Sequence, residues 1–235
     1  ATQQEKGCIG YDLHESVTRP GTYVFVERWE DRDALTAHMN AEHFKVWRKA
    51  GAEGWATPVY VASGWRSAMA HGPASTKVIE TGDVVQVHLA PIVAGYSVDL
   101  CRTLLVGDVP GEVTEALDVY LEAQAAGIAA AAPSAPLMGI DTAMANVLSA
   151  HGYGDRFLRP VFHGVGIEHE EAPIPGGHAV IHGEEKVEQV EPGMMLAIGN
   201  CGIYREHFGV RAEDTVWVSP DGPVELTSYP KRRSG

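Results

Sequence analysis

Apolar and polar positions alternate through residues 7–16 and again through 21–30, and the second run, Thr22-Tyr23-Val24-Phe25-Val26-Glu27-Arg28-Trp29, is rich in β-branched and aromatic side chains. A period of two predicts a pair of half-buried strands, with Thr18-Arg19-Pro20-Gly21 as the turn between them. From Asp31 the period lengthens. Leu35, His38, Met39, Phe44, Val46 and Trp47 form an imperfect apolar stripe, which predicts a helix capped by Asp31 and running to about Ala50. After Pro58 short apolar runs return at 59–63, at 84–90 behind Gly82-Asp83, and from Gly95 through Leu105, the pattern of an antiparallel meander. An Ala-rich helix is predicted over 113–132, stopped by Pro133 and Pro136. A second helix is predicted over about 141–150, ending at His151-Gly152. Strands are predicted again at 161–169, 194–198 and 209–218. Helices beside a curved antiparallel sheet make the fold class α+β.

Composition narrows the setting. The 235 residues are 45% hydrophobic and 21% charged, ordinary globular usage, and suffice for a real core. A formal net charge of -13 speaks against nucleic acid or an anionic membrane as partner, because both need clustered Lys and Arg. The one basic cluster, Lys231, Arg232 and Arg233, reads as a solvated tail. Cys8, Cys101 and Cys201 are far apart and lack CxxC spacing, so neither a disulfide framework nor a cysteine zinc site is expected. No run approaches the roughly 18 apolar residues of a membrane span. With no leader pattern at its start, the chain reads as a cytoplasmic protein.

Candidate chemistry lies in a few short segments: Ala70-His71-Gly72, the run from Gly82 to His88, the run from Gly95 to Thr103, His163-Gly164-Val165-Gly166-Ile167-Glu168-His169-Glu170, and Gly209-Val210-Arg211-Ala212-Glu213-Asp214-Thr215. Taken singly each has an ordinary explanation, since a lone Asp or His in a strand is commonly a hydrogen-bonded polar residue. Their order changes the weighting. Val61-Ala62-Ser63-Gly64, Ala70-His71-Gly72, Gly82-Asp83-Val84-Val85, Asp99 with Arg102-Thr103, and His163-Gly164-Val165-Gly166 come in sequence. Glu191-Pro192-Gly193-Met194, the Gly209–Thr215 run, Asp221-Gly222-Pro223 and Leu226-Thr227 complete the series. Over about 48–227 the chain resembles the creatinase, aminopeptidase P and methionine aminopeptidase family.

That resemblance implies a pita-bread fold, a curved antiparallel sheet flanked by helices, and a site in which two Asp, a His and two Glu hold a pair of divalent metals. Carboxylate and imidazole donors suit such ions, and a bridging carboxylate can hold two of them ~4 Å apart. Asp99 stands at the family's bridging Asp, His163 at its ligand His and Glu213 at its bridging Glu. Two ligands differ. His88 stands where the family has its first Asp, and Ile198-Gly199-Asn200-Cys201 replaces Ile-Glu-Pro, so the second Glu becomes Gly199 or Asn200. A further family His falls on Glu170, with His169 one place early; in a strand that offset would turn His169 to the opposite face. His71 corresponds to a family His near the scissile group and is the expected proton-transfer residue, with His169 and Glu170 as further catalytic candidates.

Residues 7–47 resemble a second family, the antibiotic-biosynthesis monooxygenase module, through Gly7-Cys8-Ile9-Gly10-Tyr11-Asp12-Leu13, the run from Pro20 to Trp29, Ala34-Leu35-Thr36-Ala37-His38-Met39 and His43-Phe44. This implies a partial ferredoxin-like β-β-α segment over 1–50, ahead of a pita-bread domain over 51–235. Half such a sheet leaves an unpaired edge, to be completed by residues 59–63, by the larger sheet or by another chain, and a homo-oligomer, a dimer, is expected.

The surviving Asp99, His163 and Glu213, with His88 as a fourth donor, are expected to hold one divalent metal (Mn, Fe, Co or Zn) or none; creatinase shares the fold and works without a metal. Three functions stand open. They are a hydrolase cleaving a C–N bond of a small-molecule or peptide-like substrate, an inactive relative kept for binding or dimerisation, and a tailoring protein of secondary metabolism.

Overall fold

The computed structural model describes residues 5–15, 23–39, 41, 54–73, 75–175, 187–200 and 202–231. At the N-terminus, β1 (Cys8–Glu15) and β2 (Tyr23–Trp29) pair antiparallel, and α1 (Arg32–Met39) follows. Asp31 Oδ1 accepts the amide proton of Ala34 at 2.8 Å, the N-cap the sequence predicts. The predicted turn 18–21 and the helix beyond Met39 lie outside the described residues.

The main body is a seven-stranded antiparallel sheet in the order β4 (Tyr60–Ser63), β5 (Val84–Leu89), β8 (Leu100–Leu105), β13 (Glu213–Ser219), β10 (Met195–Ile198), β9 (Phe162–Gly164), with β14 (Gly222–Glu225) paired to β13. Because β4 pairs with β5, residues 59–63 belong to this sheet and do not complete the β1–β2 sheet. Short strands β3 (Gly54–Trp55), β6 (Pro91–Val93) and β7 (Tyr96–Ser97) form a second sheet, and β11 (Ile203–Tyr204) pairs with β12 (Gly209–Val210). The predicted strand after Gly95 therefore breaks at Val98-Asp99, between β7 and β8. The strand predicted over 161–169 stops at Gly164, and bends follow it.

One face of the main sheet packs on α2 (Gly111–Ala130) and α3 (Gly139–Ala150). Val113, Ala116, Leu117, Tyr120, Ala123 and Gly127 recur at helical spacing and are buried, as are Ile140, Met144 and Leu148 on α3. Leu196, Ile198 and Val216 meet them from the sheet, all fully buried. Each such side chain contributes roughly 1.5–3 kcal/mol of transfer free energy. The two helices approach closely at Gly127, where a Cβ would lie 2.6 Å from Met144 Cγ.

A polar network lies under the sheet on this helical side. Asp214 accepts from Arg102 Nη2 at 2.6 Å, from Gln124 Nε2 at 2.9 Å and from Thr227, and Lys231 Nζ lies 3.1 Å from its other oxygen. Arg102 also donates to the carbonyls of Cys101, Glu213 and Tyr229. Lys231 is thus not free in solvent: it is a second cation beside Asp214 and also pairs with Glu225, while Arg232 and Arg233 lie outside the described residues.

Candidate metal centre

Register decides which side chains converge on the other face of the sheet. Cys101 is the cross-strand partner of both His88 and Glu213, and His163 is aligned through Ala197 to Thr215. Partners directly opposite in antiparallel strands share a face, and so do residues two apart on one strand. His88, Glu213 and His163 therefore project to the same side from β5, β13 and β9. Asp99 sits two residues before Cys101, just ahead of β8. Its backbone is pinned by Thr215, whose hydroxyl accepts from Asp99 N and donates to Asp99 O.

The donors meet at one buried spot. Asp99 Oδ1 is 2.7 Å from His88 Nε2; Asp99 Oδ2 is 2.9 Å from His169 Nε2 and 3.5 Å from His163 Nε2. Glu213 lies 3.8 Å from both His88 and His163. Asp99, His163 and Glu213 have no exposed surface. Yet among the described residues both Asp99 oxygens, His163 Nε2, His169 Nε2 and Glu213 Oε1 have no aligned hydrogen-bond partner. Buried polar atoms are ordinarily paired; here they face a shared centre. His163 Nδ1 lies 2.8 Å from the Gly164 carbonyl, which can only accept, so Nδ1 carries the proton and Nε2 keeps its lone pair for the centre. The residues present fit a divalent ion, as two overlapping donor triads, His88–Asp99–His169 and Asp99–His163–Glu213.

Electrostatics agree with that fit. Burial would raise the pKa of Asp99, but His163, His169 and His88 outweigh it and hold the carboxyl well below its usual range. Burial, then repulsion from Asp99 working against Arg211, raises Glu213. Burial would lower His163, but Asp99 and Glu213 carry it up to about 9. The cluster holds more negative charge than its surroundings offset, and His163 holds its second proton more tightly in response, a proton that a bound ion would displace.

His169 is a correction to the sequence expectation. It faces Asp99, whereas Glu170 is half exposed at the rim, its carboxylate 4.0 Å from His169 Nδ1. Strand alternation would have turned His169 away, but β9 has already ended at Gly164 and the chain bends through 166–170, where no face rule applies. His71 lies at the solvent-facing rim, with the Tyr60 ring between it and His88; the ring centroids are 5.3 and 5.5 Å apart. The protein around it, then the charges of Arg211 and His88, lower its pKa from the ordinary 6.5.

Arg211 had no assigned role in the sequence, although an Arg two residues before Glu213 signals a neighbour on the same face. It is buried, donates to Glu213 Oε2, and reaches Asn200 Oδ1 at 2.8 Å. Asn200 is thus directed to Arg211. Gly199, at φ +116, allows no side chain, since a Cβ would overlap the Ala212 carbonyl oxygen. The amides of Gly199 and Asn200 both donate to the Val161 carbonyl, the mark of a bulge that absorbs the extra residue. Cys201 lies outside the described residues.

A profile of Metallopeptidase family M24 matches residues 14–220. The match begins inside the N-terminal segment and runs across the join expected near Trp47. The chain is 37% identical over 178 residues to the Xaa-Pro dipeptidase of Pyrococcus furiosus, covering 75% of this chain and 49% of that protein. It is 36% identical over 185 residues to the uncharacterized peptidase YqhT of Bacillus subtilis, covering 78% and 50%. Among solved structures, the Xaa-Pro dipeptidase from Bacillus anthracis superposes with a TM-score of 0.70 at 35% identity, covering 79% of this chain and 50% of that one. The prolidase from Pyrococcus horikoshii gives 0.71 at 33%, covering 85% and 54%. The chain spans about half the length of the relatives it matches.

Proposed function

The chain belongs to metallopeptidase family M24, and from that membership we propose that it is a hydrolase cleaving a C–N bond of a peptide-like substrate with the help of one divalent ion. The observation that carries this reading is the convergence of imidazole and carboxylate atoms, buried and unpaired, on one centre. Asp99, His163, Glu213 and His88 hold the ion, and His169 joins them. When bound, the ion supplies a Lewis acid for the scissile carbonyl.

The remaining work falls to side chains at the rim. His71, neutral near pH 7, takes the proton released by the attacking water and returns it to the departing amine. Glu170, half exposed beside His169, offers a carboxylate to a cationic substrate amino group. Relatives named as Xaa-Pro dipeptidases make Xaa-Pro dipeptides the first substrates to try.

The test is a hydrolysis assay on a panel of Xaa-Pro dipeptides and small amides, with protein dialysed against Mn²⁺, Co²⁺, Fe²⁺ or Zn²⁺. Turnover that disappears in Asp99→Ala supports the reading. Absence of turnover on the whole panel, with the ion bound, favours a binding protein that has kept the fold.

A further inference from the structure

Starting from the hydrolase reading above, we propose that the centre is a three-imidazole site for a single borderline ion, and that it selects Zn²⁺ over Mn²⁺. The donors are His88, His163 and His169 together with Asp99, with one oxygen of Glu213 beside them.

Three observations carry it. The first is donor type. Imidazole nitrogens outnumber carboxylates around Asp99, and nitrogen-rich sets favour Zn²⁺, whereas Mn²⁺ prefers carboxylate oxygen. The second is charge. Within the cluster Asp99 and Glu213 are the anionic groups, and Glu213 Oε2 already receives the Arg211 guanidinium. Two carboxylates less one guanidinium leave a single negative charge. One divalent ion reverses that charge by a unit, while two would bury three uncompensated positive charges, at a steep desolvation cost. The third is geometry. His163 Nε2 and His169 Nε2 both face the same oxygen, Asp99 Oδ2, at 3.5 and 2.9 Å, so one ion beside that oxygen is within reach of both imidazoles. Gly199 adds no donor, and Asn200 is committed to Arg211.

The experiment measures metal binding directly. The 235-residue chain is stripped with chelator and titrated with Zn²⁺ and with Mn²⁺ in competition with a metal-sensitive dye, and Co²⁺ loading is followed by visible absorption. The expected result is one equivalent, with a preference for Zn²⁺ over Mn²⁺ that exceeds the general order of divalent ions because it falls by at least about 10-fold when an imidazole is replaced by a carboxylate. His169→Ala, a change in a bend at a partly exposed side chain, should weaken Zn²⁺ by at least about 10-fold and alter the Co²⁺ spectrum. His88→Asp should narrow the Zn²⁺/Mn²⁺ ratio by favouring the harder ion. Circular dichroism confirms that both variants are folded; a variant that is not is replaced by His169→Gln or His88→Asn. Equal affinity for the two ions or an unchanged His169→Ala would overturn the inference and leave the hydrolase reading standing; two equivalents in the unmodified protein would overturn the inference and the single ion of that reading, and leave C–N hydrolysis standing. Failure to bind any divalent ion would overturn both.

Discussion

Arg211 donates to one oxygen of Glu213 while the other oxygen, Oε1, faces the centre with no hydrogen-bond partner among the described residues. The carboxylate is divided between a fixed internal cation and the donor cluster, and both residues are buried. Glu213 also keeps Arg211 well above its ordinary pKa, so the guanidinium stays charged despite burial.

Removing that cation leaves a buried carboxylate unpaired. Arg211→Met should lower the stability of the metal-free protein by about 3–5 kcal/mol in a urea titration. Saturating divalent ion should restore part of the loss, because it returns positive charge to Glu213. A variant as stable as the parent would mean that the pair contributes nothing.

Gly199 is fixed by its backbone. Gly199→Ala should lose at least about 3 kcal/mol, through both its positive φ and the overlap with Ala212. Gly199→Glu, intended to rebuild a family ligand, should fail to fold instead of gaining a second ion. Soluble yield and thermal melting check both.

His71→Ala should lower kcat by about 100-fold and leave KM and metal content little changed. Because the pKa of His71 is lowered, its neutral form persists below pH 6.5, and a bound cation nearby would push in the same direction. The acid limb of the pH–kcat profile should therefore lie below 6.5 and vanish in the variant.

Asp83 lies at the entrance to β5 and accepts from Lys77 Nζ at 2.6 Å and from Glu80 N at 2.9 Å. Burial pushes its pKa up, but these two partners outweigh it and bring it below the ordinary 3.8. Its contribution is thus present above the unfolded value and lost as pH falls through the folded one. Asp83→Asn should cost about 1 kcal/mol at pH 7, a fall of roughly 2–4 °C in Tm. The difference should close once pH is below both values.

Strand and helix periodicity made most of the main body legible, because β5, β10, α2 and α3 follow their apolar patterns to within two or three residues. Asp99, His163, Glu213 and His88 were legible as a set only through the family resemblance, and in space each imidazole lies beside both carboxylates. What the sequence hid has physical causes. The direction of His169 depended on where β9 ends, which a glycine-rich run does not specify. The commitment of Asn200 to Arg211 depended on a bulge at Gly199, and bulges leave no periodic mark. Lys231 looked like a free charge because its partner, Asp214, is distant in the chain and buried beneath the sheet.

The end of β9 at Gly164 has a consequence for how such sites diverge. Side chains carried on paired strands can move along the sequence only in steps of two and still reach the same place, so His88, Glu213 and His163 are locked against single insertions. His169 hangs from a bend and obeys no such rule; it arrives one position early and still reaches Asp99. Column-by-column comparison would score that position as a lost histidine, although the imidazole is there. Inventories of degraded enzymes that count matched columns will overstate decay wherever a functional group is borne by a loop.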